Sequence, residues 1–158
     1  MAKVKDYVSG KVLDDAKLAL TLAKYLGLPV LGSIFSKQLL KAIKPFEPKL
    51  INLNIAKELI RAADKCAVGE RVCRAINNNS KLTESVFLDE LAEGMVQTGK
   101  AEYMSKQEAI NILKKYNNPL LLSKVSNKYT EICCSVPKGC VYWNIERKGY
   151  KVLTRIKK

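Results

Sequence analysis

The chain has 158 residues, 47% of them apolar and 27% charged, which suits one domain with its own core and argues against a disordered segment. Lysine and arginine number 28 against 15 aspartate and glutamate, a net charge of +13, which attracts acidic partners of any kind: a nucleic acid, an anionic membrane surface or an acidic protein. Histidine is absent. That removes the commonest general base, Ser-His and Cys-His catalytic pairs, His-bearing zinc sites and His-ligated haem.

In chain order, Val12, Leu13, Ala16, Ala19, Leu20 and Ala23 recur at helical spacing after Ser9, a candidate N-cap, and Gly27 and Pro29 end that helix. A second short helix is expected over residues 36–43, and the PFEP stretch at 45–48 breaks it. A third helix is expected from Asn52 or Asn54, with Ile55, Leu59 and Ala63 on one face. The segment KCAVGERVCR (65–74) carries a central glycine and reads as a turn or loop, as does INNNSK (76–81). Phe87, Leu91 and Met95 sit four residues apart and predict a helix. Ser105 and Glu108 form a capping box for another, and NNP (117–119) ends it. Residues 120–134 read as extended, and the tail after Cys140 reads as strands from its β-branched and aromatic residues. These elements predict an α+β, mainly helical single domain with a small C-terminal strand or hairpin, divided into an N-terminal helical part (1–65) and a cysteine-bearing part (66–158). No apolar stretch reaches the ~18 residues of a membrane span, and the N-terminus lacks the apolar region of a secretory signal, so the expectation is a cytoplasmic protein without a membrane span.

The five cysteines hold the most distinctive chemistry. Cys66 and Cys73 form one C-x6-C pair, and Cys133 and Cys140 form a second, with Cys134 beside the first member. Gly69 interrupts the first interval, and Pro137 and Gly139 the second; such residues let a chain fold back so that thiolates converge. Four thiolates close a [4Fe–4S] or an all-cysteine zinc site, and Lys65, Arg71, Arg74 and Lys138 offset the negative charge. Zinc is the second choice, because its sites usually bring C-x2-C knuckles. Plain core cysteines and disulfides are the alternatives. No phosphate-cradling glycine motif or catalytic constellation is present, so the chain reads as a non-enzyme.

Four marks between Cys66 and Cys140 resemble, in order, a region of [4Fe–4S]-binding, ferredoxin-like proteins of anaerobic bacteria and archaea. They are AVGERVCR (67–74), GKAEYMSKQEAINIL (99–113), LLLSKVSN (120–127) and EICCSVPKGC (131–140). The chain departs from that pattern where Arg71 stands in place of a cysteine, and the ferredoxin module that often follows is missing. The resemblance implies Cys73, Cys133 and Cys140 as ligands of a cluster, with Cys66 or Cys134 as the fourth, in an electron-transfer or redox-sensing protein. The alternative is a basic, winged-helix-like nucleic-acid-binding module with structural cysteines. There Arg147, Lys148, Lys151 and Arg155, interleaved with Tyr142, Trp143 and Tyr150, would meet the backbone and bases.

Overall fold

The computed structural model describes residues 3–25, 31–70 and 84–156. Strands β1 (Lys49–Ile51), β2 (Cys66–Glu70), β3 (Glu84–Leu88), β4 (Ala101–Tyr103), β5 (Leu120–Val125), β6 (Lys128–Cys134) and β7 (Thr154–Arg155) form one sheet in the order β4-β2-β3-β6-β5-β1-β7. Each pairing is antiparallel except β1 with β7. Side chains alternate between the faces of a strand, so two apolar surfaces arise and each needs cover. On one face Cys66, Val68, Val86, Leu88, Leu120, Leu122, Ile132 and Cys134 meet α4 (Leu53–Ala62) and α6 (Lys106–Lys115) through Ile60, Ile110 and Leu113. On the other, Ala67, Phe87 and Val125 meet α1 (Val4–Val8) and α5 (Asp89–Gln97) through Tyr7, Leu91 and Met95. Beside these, α2 (Lys11–Tyr25), α3 (Leu31–Ile43) and α7 (Val141–Glu146) pack together through Ala19, Leu39, Ile43, Val141 and Ile145. Fully buried side chains such as Ile60, Phe87, Leu91 and Ile132 each contribute about 1.5–3 kcal/mol by leaving water.

The expected mainly helical domain with a small C-terminal strand element is corrected by this seven-stranded sheet. Its inner strand β3 is buried from Ser85 to Leu88, because helices cover both faces. Such a strand shows no alternation, and the four-residue spacing from Phe87 to Met95 imitates a helix while spanning a strand and the helix after it. Helix α5 begins at Asp89, which has φ +51°, and its Oδ1 accepts from the backbone N–H of Asp64 (2.8 Å) and Lys65 (3.3 Å). The turn expected over residues 65–74 is also corrected: 71–74 lie outside the described residues, and Cys66–Glu70 form strand β2. Gly69 is needed there for a close approach: a Cβ would run into the carbonyl of Lys100 and come within 2.7 Å of Ala101 Cβ. The expected strands after Cys140 give way to α7, in which Val141 and Ile145 turn inward one helical turn apart, and only the short β7 follows.

Local chemistry is otherwise followed closely. Ser105 and Glu108 make the reciprocal capping box of α6, and the Asn52 side chain accepts from Ile55 N–H (2.9 Å) to start α4. Residues 120–134 form a hairpin whose turn, Ser126-Asn127, has both φ values positive, the handedness that suits twisted strands. Strand β1, from the N-terminal part, pairs with β5 and β7 of the cysteine-bearing part, so both parts build one sheet. Gly27, Pro29 and the INNNSK stretch lie outside the described residues. Among those residues no helix is long and apolar enough to cross a membrane.

Gly69→Ala is expected to lower the melting temperature by about 4–8 °C, the equivalent of roughly 2 kcal/mol of overpacking between β2 and β4, measured by thermal unfolding.

Candidate functional site

Strand geometry sorts the cysteines. Cys133 and Cys134 are adjacent on β6 and therefore leave the sheet on opposite faces. Cys134 joins the face under α4 and α6, fully buried, with its Sγ 4.0 Å from the carbonyl of Leu113. Cys66 is on that face too, opposite Leu88 on β3. The register of β3 with β6 puts Cys66 two strands from β6 and four residues from the level of Cys134, about 10 Å across and 13 Å along. Burial pushes the Cys66 thiol up to about 11, outweighing the charge of nearby Lys106, so it stays protonated at neutral pH. Cys66 and Cys134 are thus brought neither to each other nor to the remaining described cysteines.

Cys133 and Cys140 do share a place. Pro137 and the turn that follows β6 lead the chain back to Cys140, the N-cap residue of α7, which is buried against Leu121 and Leu153 with Cys133 packed beside them. Both cysteines line a cavity of about 100 Å³ between the sheet and helices α1, α2, α3 and α7. Most of its wall is apolar, supplied by side chains such as Val12, Ala19 and Ile43. Its polar groups are few. Glu131, two residues before Cys133 and on the same face, is buried and accepts a 2.6 Å hydrogen bond from the Tyr7 hydroxyl. Burial, and after it the charge of Glu131, hold the Tyr7 phenol well above its ordinary range, so it remains a donor. Cys73, Arg71 and Arg74 lie outside the described residues. Among those residues, no group of three or more cysteines and carboxylates is arranged to hold a metal ion.

The basic C-terminal run is arranged differently from an array of stacked aromatics and free cations. The Trp143 ring nitrogen donates to Ser135 Oγ (3.0 Å), and Tyr142 and Tyr150 pack against the cluster of α2, α3 and α7. Arg147 donates to the Pro137 carbonyl (3.0 Å) and to Asn144 Oδ1 (2.7 Å), closing the turn that carries Cys140. Arg155 pairs with Glu146 (2.9 Å). Lys148 and Lys151 are exposed. Glu146 also accepts from the backbone N–H of Val152 and Leu153, both at 3.0 Å. Burial raises its carboxyl, but the Leu153 N–H, the Arg155 guanidinium and the Val152 N–H outweigh burial and hold it below the ordinary carboxylate range.

Sequence reasoning missed Tyr7 and Glu131. A tyrosine in a basic N-terminal stretch and a single acid before two cysteines carry no motif; only period-two counting back from Cys133 would have placed Glu131 on the cavity face. No family model, no curated protein and no solved structure matches this chain.

Two outcomes follow from these environments. In native alkylation at pH 8 read by peptide mass spectrometry, Cys66 is expected to react about 100-fold more slowly than an ordinary cysteine, through its lower thiolate fraction. Glu146→Gln is expected to cost about 1–3 kcal/mol at pH 7. Because the folded carboxyl titrates low, its contribution is complete above the ordinary carboxylate value and is lost as pH falls through the folded one. The difference between variant and parent in urea titrations should therefore shrink below about pH 4.

Proposed function

We propose that this chain is a non-enzymatic iron–sulfur protein of the cytoplasm that transfers electrons or senses redox state by docking on an acidic protein partner. The observation that carries the proposal is the sharing of one apolar cavity by Cys133 and Cys140, while the two cysteines on the opposite face stand apart from it. Register adds a second support. Glu70, the last residue of β2, pairs with Glu84, one residue from the Ser85 that faces Cys133. Strand β2 therefore delivers the chain to the end of the sheet that bears Cys133, three residues before Cys73. The order of motifs from 67 to 140, with its likeness to ferredoxin-like proteins, is the third.

The described residues supply two thiols, so Cys73 would be the third ligand and the fourth place of a [4Fe–4S] group would fall to a ligand other than cysteine. Cys66 and Cys134 stand outside that set. When bound, a [4Fe–4S] group supplies one-electron chemistry. The protein's own part is to hold Cys133 on a strand paired on both sides, to hold Cys140 at a helix start, and to keep water from the apolar wall. Zinc remains the second choice of metal. The net charge of +13, with Lys148 and Lys151 exposed, supports an acidic partner.

Anaerobic purification and reconstitution, followed by visible absorbance and analysis of iron and sulfide, test the proposal. A brown protein is expected, bleached by Cys73→Ala, Cys133→Ala or Cys140→Ala and still coloured with Cys66→Ala. A colourless parent with neither iron nor sulfide overturns it.

A further inference from the structure

The cavity between the sheet and the N-terminal helices adjoins a second one of about 320 Å³, and Val12, Asp15, Ala19, Ala42 and Phe46 line both. The two differ in chemistry. The inner one, of about 100 Å³, has a mostly apolar wall, and its buried carboxylate, Glu131, already accepts from Tyr7. Alanines 16, 19 and 42 leave that space open, since each side chain stops at Cβ. The outer one reaches solvent past the exposed Lys11, Asp15, Gln38 and Lys41, with Asp6 beside them. Its charged groups are therefore balanced, Asp6 and Asp15 against Lys11 and Lys41. Of these, Lys11, Asp15 and Lys41 enter no ion pair among the described residues. Lys11 and Asp15 sit four residues apart on α2, so one helix face presents both signs to the mouth. An apolar cavity of about 150 Å³ takes up benzene, so one of about 100 Å³ holds roughly four carbon atoms.

We infer that the two cavities form one binding site for a small zwitterionic amphiphile of the aliphatic amino-acid class. An aliphatic tail of about four carbons fills the inner cavity. The ammonium faces Asp15, which stands where the two cavities meet, and the carboxylate lies in the outer cavity with Lys11 and Lys41. Charge selects the head. A head of one sign meets two like charges at the mouth, whereas a head that carries both has a partner for each. Volume selects the tail. Glycine leaves the inner cavity empty, and a leucine side chain fills it. The inference goes beyond the iron–sulfur reading and does not rest on it, since no thiolate takes part.

The full chain, stripped of metal by a chelator and kept reduced, is titrated with L-leucine at low salt by isothermal titration calorimetry. Saturable binding is expected. Isocaproate, which keeps the tail and the carboxylate but lacks the ammonium, and isoamylamine, which lacks the carboxylate, are each expected to bind about tenfold more weakly. Glycine is expected to give no binding. Asp15→Asn, at an exposed position without an ion pair, is expected to fold as the parent does, to weaken leucine about tenfold and to leave isocaproate unchanged. Ala42→Leu, which enlarges a side chain where the cavities meet, is expected to lose both ligands while melting as a folded protein. No saturable leucine binding up to about 10 mM overturns the inference and leaves the iron–sulfur reading standing. Equal affinity for leucine and isocaproate overturns the zwitterionic head, and glycine binding as leucine does overturns the tail. A colourless reconstitution, by contrast, overturns the iron–sulfur reading alone.

Discussion

Strand β6 is paired on both edges, to β3 and to β5, and covered on both faces, so each of its residues has one direction to point. Everything of chemical interest depends on that constraint. It sends Cys133 and Glu131 toward the helices of the N-terminal part, and Ile132 and Cys134 toward α4 and α6. A slip of one residue in register would exchange the two sets, burying Glu131 in the apolar layer under α6 and removing Glu131 and Cys133 from the cavity. The hairpin turn at Ser126-Asn127 and the buried run of β5 oppose that slip. The chemistry of the cavity is therefore as secure as the pairing of three central strands.

The four described cysteines separate by environment. Cys66 and Cys134 behave as small apolar residues of the core, which is where free cysteine is most often found. Cys133 and Cys140 border space, beside the bonded Tyr7 and Glu131, in a mostly apolar wall that also includes Asp15 and Ser123. In the second pair a turn closed by Arg147 and Asn144 returns the chain, whereas Cys66 opens a strand that runs on to Glu70.

The parts of the fold legible in the sequence are those decided by neighbours three or four residues away. The capping box at Ser105, the cap at Asn52 and the extended run to Cys134 depend on local hydrogen bonds and local composition. The strands β2 and β3 depend on partners more distant in sequence and on helices over both faces, and their buried runs carry no periodicity to mark them. Gly69 shows the same limit at one residue. Its presence was visible, but its reason, the backbone of β4 passing close by, belongs to the tertiary structure. At the candidate site, the turn between Cys133 and Cys140 was legible from the proline and glycine between them. Tyr7 and Glu131 were not, since 124 residues separate them.

That separation has a consequence for how the protein comes into being. The Tyr7–Glu131 bond joins the first helix to the sixth strand, so the cavity does not exist while the chain is being made. During synthesis α1 must wait for β6 to emerge, and the loop closed by the bond is among the longest this chain allows, a contact formed late because its entropy cost comes before its reward. A guest in that cavity would therefore have to enter a nearly finished molecule, or be held by the C-terminal strands until the N-terminal helices closed over it.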